Sequence, residues 1–161
     1  LKKYFNIVYD INNVNTTKNI SYLRDTKEQI NTIIQSRNQT KKRTFKSGHK
    51  IFYKNQIIRC IKHYKKCKFY LNYTYKIKSI TKAKTVIEDE VDNIDYIFPT
   101  EALYKFFSYN HCFTNHSIQG MTIEQPLTIF NVDFHLVDAT WLYVATTRNI
   151  NMKDVNIFLK K

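Results

Sequence analysis

The chain is short of the residues that make irregular or covalently stapled proteins. Two glycines and two prolines in 161 residues exclude Pro/Gly-rich disorder and collagen-like repeats, and an aromatic content of 15% supplies material for a packed core. Three cysteines, Cys60, Cys67 and Cys112, are an odd number without a paired CxxC, so no disulfide framework is expected. Cys60, His63 and Cys67, with His49 or His111 as a fourth ligand, have the spacing of no standard zinc finger. Reduced thiols on or beside strands are the expected state. No apolar run approaches the ~20 residues that span a bilayer, and no signal-peptide pattern opens the chain. A soluble intracellular protein with no membrane partner is the expectation.

Acidic residues are also scarce, and unevenly so. Lys and Arg number 26 against 13 Asp and Glu, for a net charge of +13 and a pI near 9.6. From Lys41 to Lys84 there is no Asp or Glu at all. Surface cations gain by releasing counterions from phosphates, so a polyanionic partner is one origin of this imbalance. The codons of an A+T-rich genome, which favour Lys, Asn, Ile and Tyr, are the other.

The order of elements predicts an α/β fold with a β-rich interruption. Asn19 to Leu23 reads as a short buried strand. A helix follows, capped by Asp25, with Glu28 completing a capping box and Ile30, Ile33 and Ile34 facing inward. Before them lie an apolar patch, Tyr4 to Tyr9, and a loop; after them Arg37 to Lys46 is a polar connector. Extended runs at 50–53, 68–71, 73–80, 85–87 and 96–98 then follow with no helix between them. Tyr73, Tyr75, Ile77 and Ser79 are expected on one face and the lysines on the other. Glu88 to Asp95 reads as a solvated turn. The alternation resumes after a linker at 99–105: a strand at 109–113, a short helix at 114–119 ended by Gly120, a strand at 127–132, a helix at 137–148 capped by Asp138, and a strand at 155–159. The expected organisation is an α/β domain built from 1–45 and 100–161, with a small basic β-domain inserted at 46–99.

The strings that carry chemistry lie in the last third. Thr114-Asn115-His116-Ser117-Ile118-Gln119-Gly120-Met121-Thr122 follows a strand, and Trp141-Leu142-Tyr143-Val144-Ala145-Thr146-Thr147-Arg148 lies on a helix. Ligands of open α/β sheets bind outside the carboxyl ends of the strands, where the first string would present hydroxyls, an imidazole and an amide. Thr114 and His116 can donate to backbone phosphates, Gln119 can bridge to water or nucleotide oxygens, and Gly120 lets the backbone approach a phosphate. The Arg148 guanidinium cannot lose its proton and its donor fork matches phosphoryl oxygens. Alone, it would be an ordinary helix-end arginine.

Together, T-x-H-x-x-Q-G-x-T and L-Y-x-A-x-T-R resemble motifs V and VI of superfamily 1 DNA helicases of the RecD-like or UvrD-like kind. Ile20-Ser21-Tyr22, Thr26-Lys27 and Ile30-Asn31 are similar to the motif IV region of the RecD-like members, although that family often has Thr-Asn at Leu23 and Arg24, Arg at Lys27 and Ala at Asn149. The cysteine before motif V, the Thr-Ile-Phe strand and the Trp before Leu-Tyr resemble, more loosely, helicases of large DNA viruses. The resemblance implies the C-terminal RecA-like domain of an ATP-driven motor, interrupted by an SH3-like β-barrel between motifs IV and V. It implies ATP and Mg²⁺ as cofactors, Arg148 and Gln119 as catalytic, and Gly120, Lys27 and Arg148 as nucleotide-binding. It also implies that Thr114, His116 and Thr122 contact single-stranded DNA, or RNA, in a viral replication compartment or nucleus. No G-x-x-x-x-G-K-[ST] is present, and Glu88-Asp89-Glu90 lacks a Walker B setting. The Walker lysine and the Mg²⁺ ligands are therefore expected from an N-terminal P-loop domain, in cis or in trans, and the chain alone is not expected to hydrolyse ATP. Two other readings fit the same residues: a nucleic-acid-binding module without catalysis, and a structural domain of a replication assembly.

Overall fold

The computed structural model describes residues 4–40, 42–64 and 67–160. In chain order its strands are β1 (Asn6–Val8), β2 (Lys18–Ser21), β3 (Thr44–Ser47), β4 (Lys50–Tyr53), β5 (Ile57–Cys60), β6 (Thr74–Ile80), β7 (Lys84–Asp89), β8 (Ile94–Pro99), β9 (Phe107–Tyr109), β10 (Cys112–Thr114), β11 (Leu127–Phe130) and β12 (Val155–Phe158). Helix α1 (Arg24–Gln39) follows β2, the short α2 (Leu103–Phe106) precedes β9, and α3 (Ala139–Thr146) joins β11 to β12. The chain divides into two compact units, one made of Leu1–Ile34 and His111–Lys161 and the other of Gln35–Asn110. No helix among the described residues is long and apolar enough to cross a membrane.

The first unit is a parallel sheet in the order β1-β12-β11-β2-β10. Alternation along each strand sends apolar side chains to both faces. Ile20, Phe113, Leu127, Ile129 and Ile157 pack with Ala145 of α3, whereas Cys112 and Phe130 pack with Ile30 and Ile34 of α1. β11, buried at every position, is the centre of this α/β/α sandwich. Helix α1 begins one residue earlier than its expected cap: Asp25 lies in the first turn, and Glu28 pairs with Lys27 at 2.7 Å instead of closing a capping box. Its inner face is also more polar than the isoleucine stripe suggested. Asn31 is 1% exposed, donates to Cys112 O at 3.1 Å, and accepts from the amides of His111 and Cys112 at 3.2 and 3.0 Å, tying α1 to the start of β10.

The second unit holds an antiparallel sheet in the order β8-β7-β6-β5-β9 and a separate β3-β4 hairpin. β8 and β9 are the edges of this sheet among the described residues. The unit runs wider than 46–99, taking in β3 and β9. Its core is aromatic. The Phe69 ring meets those of Tyr75, Tyr96 and Phe107 edge-on at 4.8–5.0 Å, a favourable arrangement for π quadrupoles. Phe69 was expected on a strand; the segment instead leaves the sheet and drops this one ring into the core. A bulge between Ile77 and Ser79 breaks the predicted face of β6, leaving Ser79 outside and burying Ile80. Tyr73 precedes the strand and is 60% exposed. Glu88 and Asp89 belong to β7, not to a solvated turn, and Asp89 is buried, accepting from the amides of Val91 and Asp92.

Both ends of this second unit meet one residue. Gln35 Nε2 donates to Ile51 O and Ile51 N donates to the Tyr109 hydroxyl, each at 2.8 Å. The buried Lys50 ammonium donates to Tyr104 O and Phe107 O at 3.3 and 2.9 Å, capping the carboxyl end of α2 with a cation. Turns that a glycine-poor chain must still make are taken by asparagine: Asn55, Asn72, Asn93 and Asn131 all have φ between 54° and 68°, the left-handed region that Asn tolerates better than most residues.

Candidate functional site

The loop after β10 is held from inside and displayed outside. Ile118 and Ile123 are buried in the α3-side core, and the amide of Asn115, itself 9% exposed, donates to Trp141 O at 3.1 Å. Ser117 Oγ accepts from Thr114 N at 3.1 Å and donates to Thr114 O at 2.9 Å, closing a 3-10 turn over Asn115–Ile118. With those anchors set, His116, Gln119 and Thr122 are exposed and Thr114 is half-buried. Gly120 has φ +82°, and a side-chain carbon placed on it would meet nothing within 4 Å. Its backbone is therefore both left-handed and open to a ligand.

Helix α3 starts with the expected cap, Asp138 accepting from Trp141 N at 2.6 Å, but ends at Thr146, two residues before Arg148. Thr146 and Thr147 hydroxyls turn back on Tyr143 O at 3.0 and 2.9 Å. Arg148 Nε donates to Val144 O at 3.2 Å, which orients the guanidinium on the helix end. Its Nη groups have no protein partner among the described residues. The arginine backbone is bound to the other motif: Ile123 N donates to Arg148 O at 2.7 Å, and Ile123 and Asn149 form a parallel bridge. Asn149, 5% exposed, donates to Gln125 O at 2.7 Å and accepts from Asn151 N at 2.8 Å. This buried latch was not foreseen; the replacement of Ala by Asn at this position was its only trace in the sequence.

The residues expected to act together fall into two groups. Thr114, His116 and the first turn of α3 gather at the carboxyl end of the sheet, and so does Lys27, in the first turn of α1. Helix α3 runs back from the carboxyl end of β11 to the amino end of β12, so Arg148 and the Gly120–Ile123 segment bound to it lie toward the opposite edge. The Lys27 ammonium pairs with Glu28 at 2.7 Å. Beside Lys27, the missed residue is Asn131 (φ 63°), whose side chain accepts from Leu23 N at 3.3 Å and donates to Thr26 Oγ1 at 3.1 Å. It pins the β2–α1 turn to the end of β11 and lines a cleft of about 520 Å³ with Thr26, Asp10, Asp133 and Lys160.

Burial lowers the pKa of His111 to about 4, with a smaller effect of nearby Lys18. It raises the Cys112 thiol to about 12 and pushes Cys60 and Cys67 up. Cys60 Sγ donates to Lys62 O at 3.4 Å and His63 Nδ1 faces Phe69 O at 3.2 Å. No three metal-ligating side chains converge among the described residues.

No family model matches the sequence, and no curated protein matches it. Solved structures do. The chain is similar to Bacteroides Pif1 bound to ssDNA, with a TM-score of 0.64 and 13% identity over 94% of this chain and 42% of that one. It is similar to a Pif1 helicase solved for DNA unwinding at forked dsDNA, with a TM-score of 0.66 and 14% identity over 89% and 39%. It is also similar to Pif1 helicase from Candida albicans, with a TM-score of 0.56 and 10% identity over 90% and 46%. The chain spans less than half the length of each of these. Its fold, a parallel α/β sheet of the RecA-like kind interrupted by antiparallel strands, is that of a segment of Pif1 helicases.

Proposed function

We propose that the α/β unit is the second RecA-like motor domain of a superfamily 1, RecD-like DNA helicase, coupling ATP hydrolysis to movement along single-stranded DNA. The observation that carries this reading is the backbone lock between Arg148 and Ile123, which holds an arginine with unengaged Nη groups against the segment that displays Gln119, Gly120 and Thr122. A guanidinium so held fits a phosphoryl group, and such a finger accounts for about 10³ to 10⁵ in rate where it acts. ATP, when bound, supplies the γ-phosphate on which charge develops. Arg148 stabilises that charge, Gln119 and the Gly120 backbone sense the phosphate, and Thr114 and His116 hold the strand backbone. Lys27 and Thr122 are secondary contacts. The sequence has no G-x-x-x-x-G-K-[ST], and the Walker lysine and the Mg²⁺ ligands are assigned to a P-loop domain in cis or in trans. The interrupting antiparallel unit takes the place of an inserted β-domain.

The test is made on the polypeptide of the complete reading frame, sequenced upstream of Leu1. With a P-loop present, Arg148→Ala lowers DNA-stimulated kcat by about 10³ while leaving affinity for an oligo-dT strand within twofold. An Arg148→Ala protein that turns over ATP at the parental rate overturns the assignment. ATP-independent strand binding by a frame without a P-loop supports the non-catalytic binding module instead.

A further inference from the structure

We propose that the cleft lined by Lys42, Arg43, Phe45 and Lys54 in the antiparallel unit binds one nucleotide of a single-stranded nucleic acid, its phosphate against the three cations and its base against Phe45 and Ile80. This goes beyond the motor reading and does not rest on it, since neither Arg148 nor the Thr114 loop takes part. Residues 35–110 contain 17 Lys and Arg against 6 Asp and Glu, so that +11 of the chain's +13 resides in this one unit. Within it the cations are not equivalent. Lys76 and Lys78, on β6, lie across from the acidic strands and pair with Glu88, Glu90 and Asp95 at 2.8–3.9 Å. Lys42, Arg43 and Lys54 have no carboxylate partner among the described residues. A codon bias accounts for the number of lysines, but not for three unneutralised cations converging on one concavity.

The cleft holds about 450 Å³, within the range of pockets that accept small organic ligands. The Arg43 guanidinium lies 5.3 Å from the Phe45 ring and the Lys42 ammonium 4.1 Å from the Tyr53 ring. Each is held by a ring face, which spends none of its N–H donors. Asn55, at φ 66°, makes the left-handed turn between β4 and β5 that brings Lys54 to the rim. Cations beside a half-buried aromatic and an aliphatic wall are the combination by which single strands are held, phosphates by charge and bases by stacking. A duplex keeps its bases inside the stack and cannot seat one in a concave cleft.

The whole chain is titrated with fluorescent oligo-dT and with a duplex over a range of salt. The triple variant Lys42→Gln/Arg43→Gln/Lys54→Gln loses about tenfold or more in single-strand affinity at low salt, and the slope of log K against log salt falls by about 0.7, as for one lost phosphate contact. Phe45→Leu, which keeps the packing volume, costs about tenfold for the single strand and nothing for the duplex. A control that removes the same charge elsewhere, Lys62→Gln/Lys68→Gln/Lys84→Gln, costs less than threefold. Equal losses in the cleft and control variants, or a Phe45→Leu protein that binds like the parent, overturn the proposal. Circular dichroism checks that each variant folds; if the triple variant does not, Lys54→Glu at the exposed turn replaces it with the same expectation. Thr114→Ala and His116→Ala, tested in parallel, report on the motor reading alone, so failure of one proposal is distinguishable from failure of the other.

Discussion

Single residues carry constraints that composition hides. In the two-residue loop of the β3-β4 hairpin, Gly48 has φ +54°, and a side-chain carbon there would lie 2.6 Å from the Tyr104 ring. Both the conformation and the space demand glycine. Gly48→Ala is expected to cost about 2 to 4 kcal/mol, the sum of a left-handed penalty and an overpacking clash, read as a lower urea midpoint at unchanged m-value. His111 makes a pH prediction. Its folded pKa of about 4 lies below the unfolded value of about 6.5, so between those limits the unfolded chain binds the extra proton and stability falls as pH falls. At most about 3 kcal/mol is lost across that window, less as far as the ring touches water. Denaturation at the two ends of the window checks it: His111→Gln should flatten the difference, and an equally steep loss in the variant assigns it to other groups. Several of these residues could not be found by pattern. Asn131, Asn149 and Asn31 act through bonds to backbone distant in sequence, and an asparagine gives no local sign of which carbonyl it will meet.

Elements were readable where their signal is local and obscure where it depends on partners. The cap at Asp138 is such a local signal, and its bond to Trp141 N makes a direct prediction: Asp138→Ala should lower stability by about 1 kcal/mol, whereas Asp138→Ser should restore most of it. Unchanged thermal melts in the alanine variant would sink the cap's importance. β11 and β12 stood out as apolar runs of strand length, and β6 by alternation. The alternation of β6 failed midway because a bulge shifts the face by one residue, which no side-chain pattern announces. The run at 109–113 was one strand by propensity but serves two sheets, ending β9 and beginning β10; propensity does not say where a chain changes partners. β3 and β5 were missed because their charged or exposed positions mask the extended backbone, which pairing with β4 and β6 supplies. The two motif strings were readable in identity, yet not in arrangement: the lock between Arg148 and Ile123 follows from the course of the chain after α3, not from spacing.

At the scale of the whole molecule, charge and continuity separate the two units. The antiparallel unit is one uninterrupted stretch with its own aromatic core. A fragment comprising 35–110 is expected to fold cooperatively, with a near-ultraviolet signal from the rings around Phe69; a fragment lacking that signal and melting without a transition would show that its core is insufficient alone. The α/β unit is split, and the adjacent strands β2 and β10 are separated by that whole stretch. The meeting of Gln35 and Tyr109 on Ile51 then bears on how the protein is made. As the chain leaves the ribosome, β2 has no neighbour from the later sheet strands until the intervening stretch has emerged, and holding an unstructured loop of that length closed costs about 4 kcal/mol of chain entropy. Once the stretch has folded and its two ends are fastened to a single residue, that entropy is already spent, and β10 arrives beside β2 as though the connection were only a few residues long.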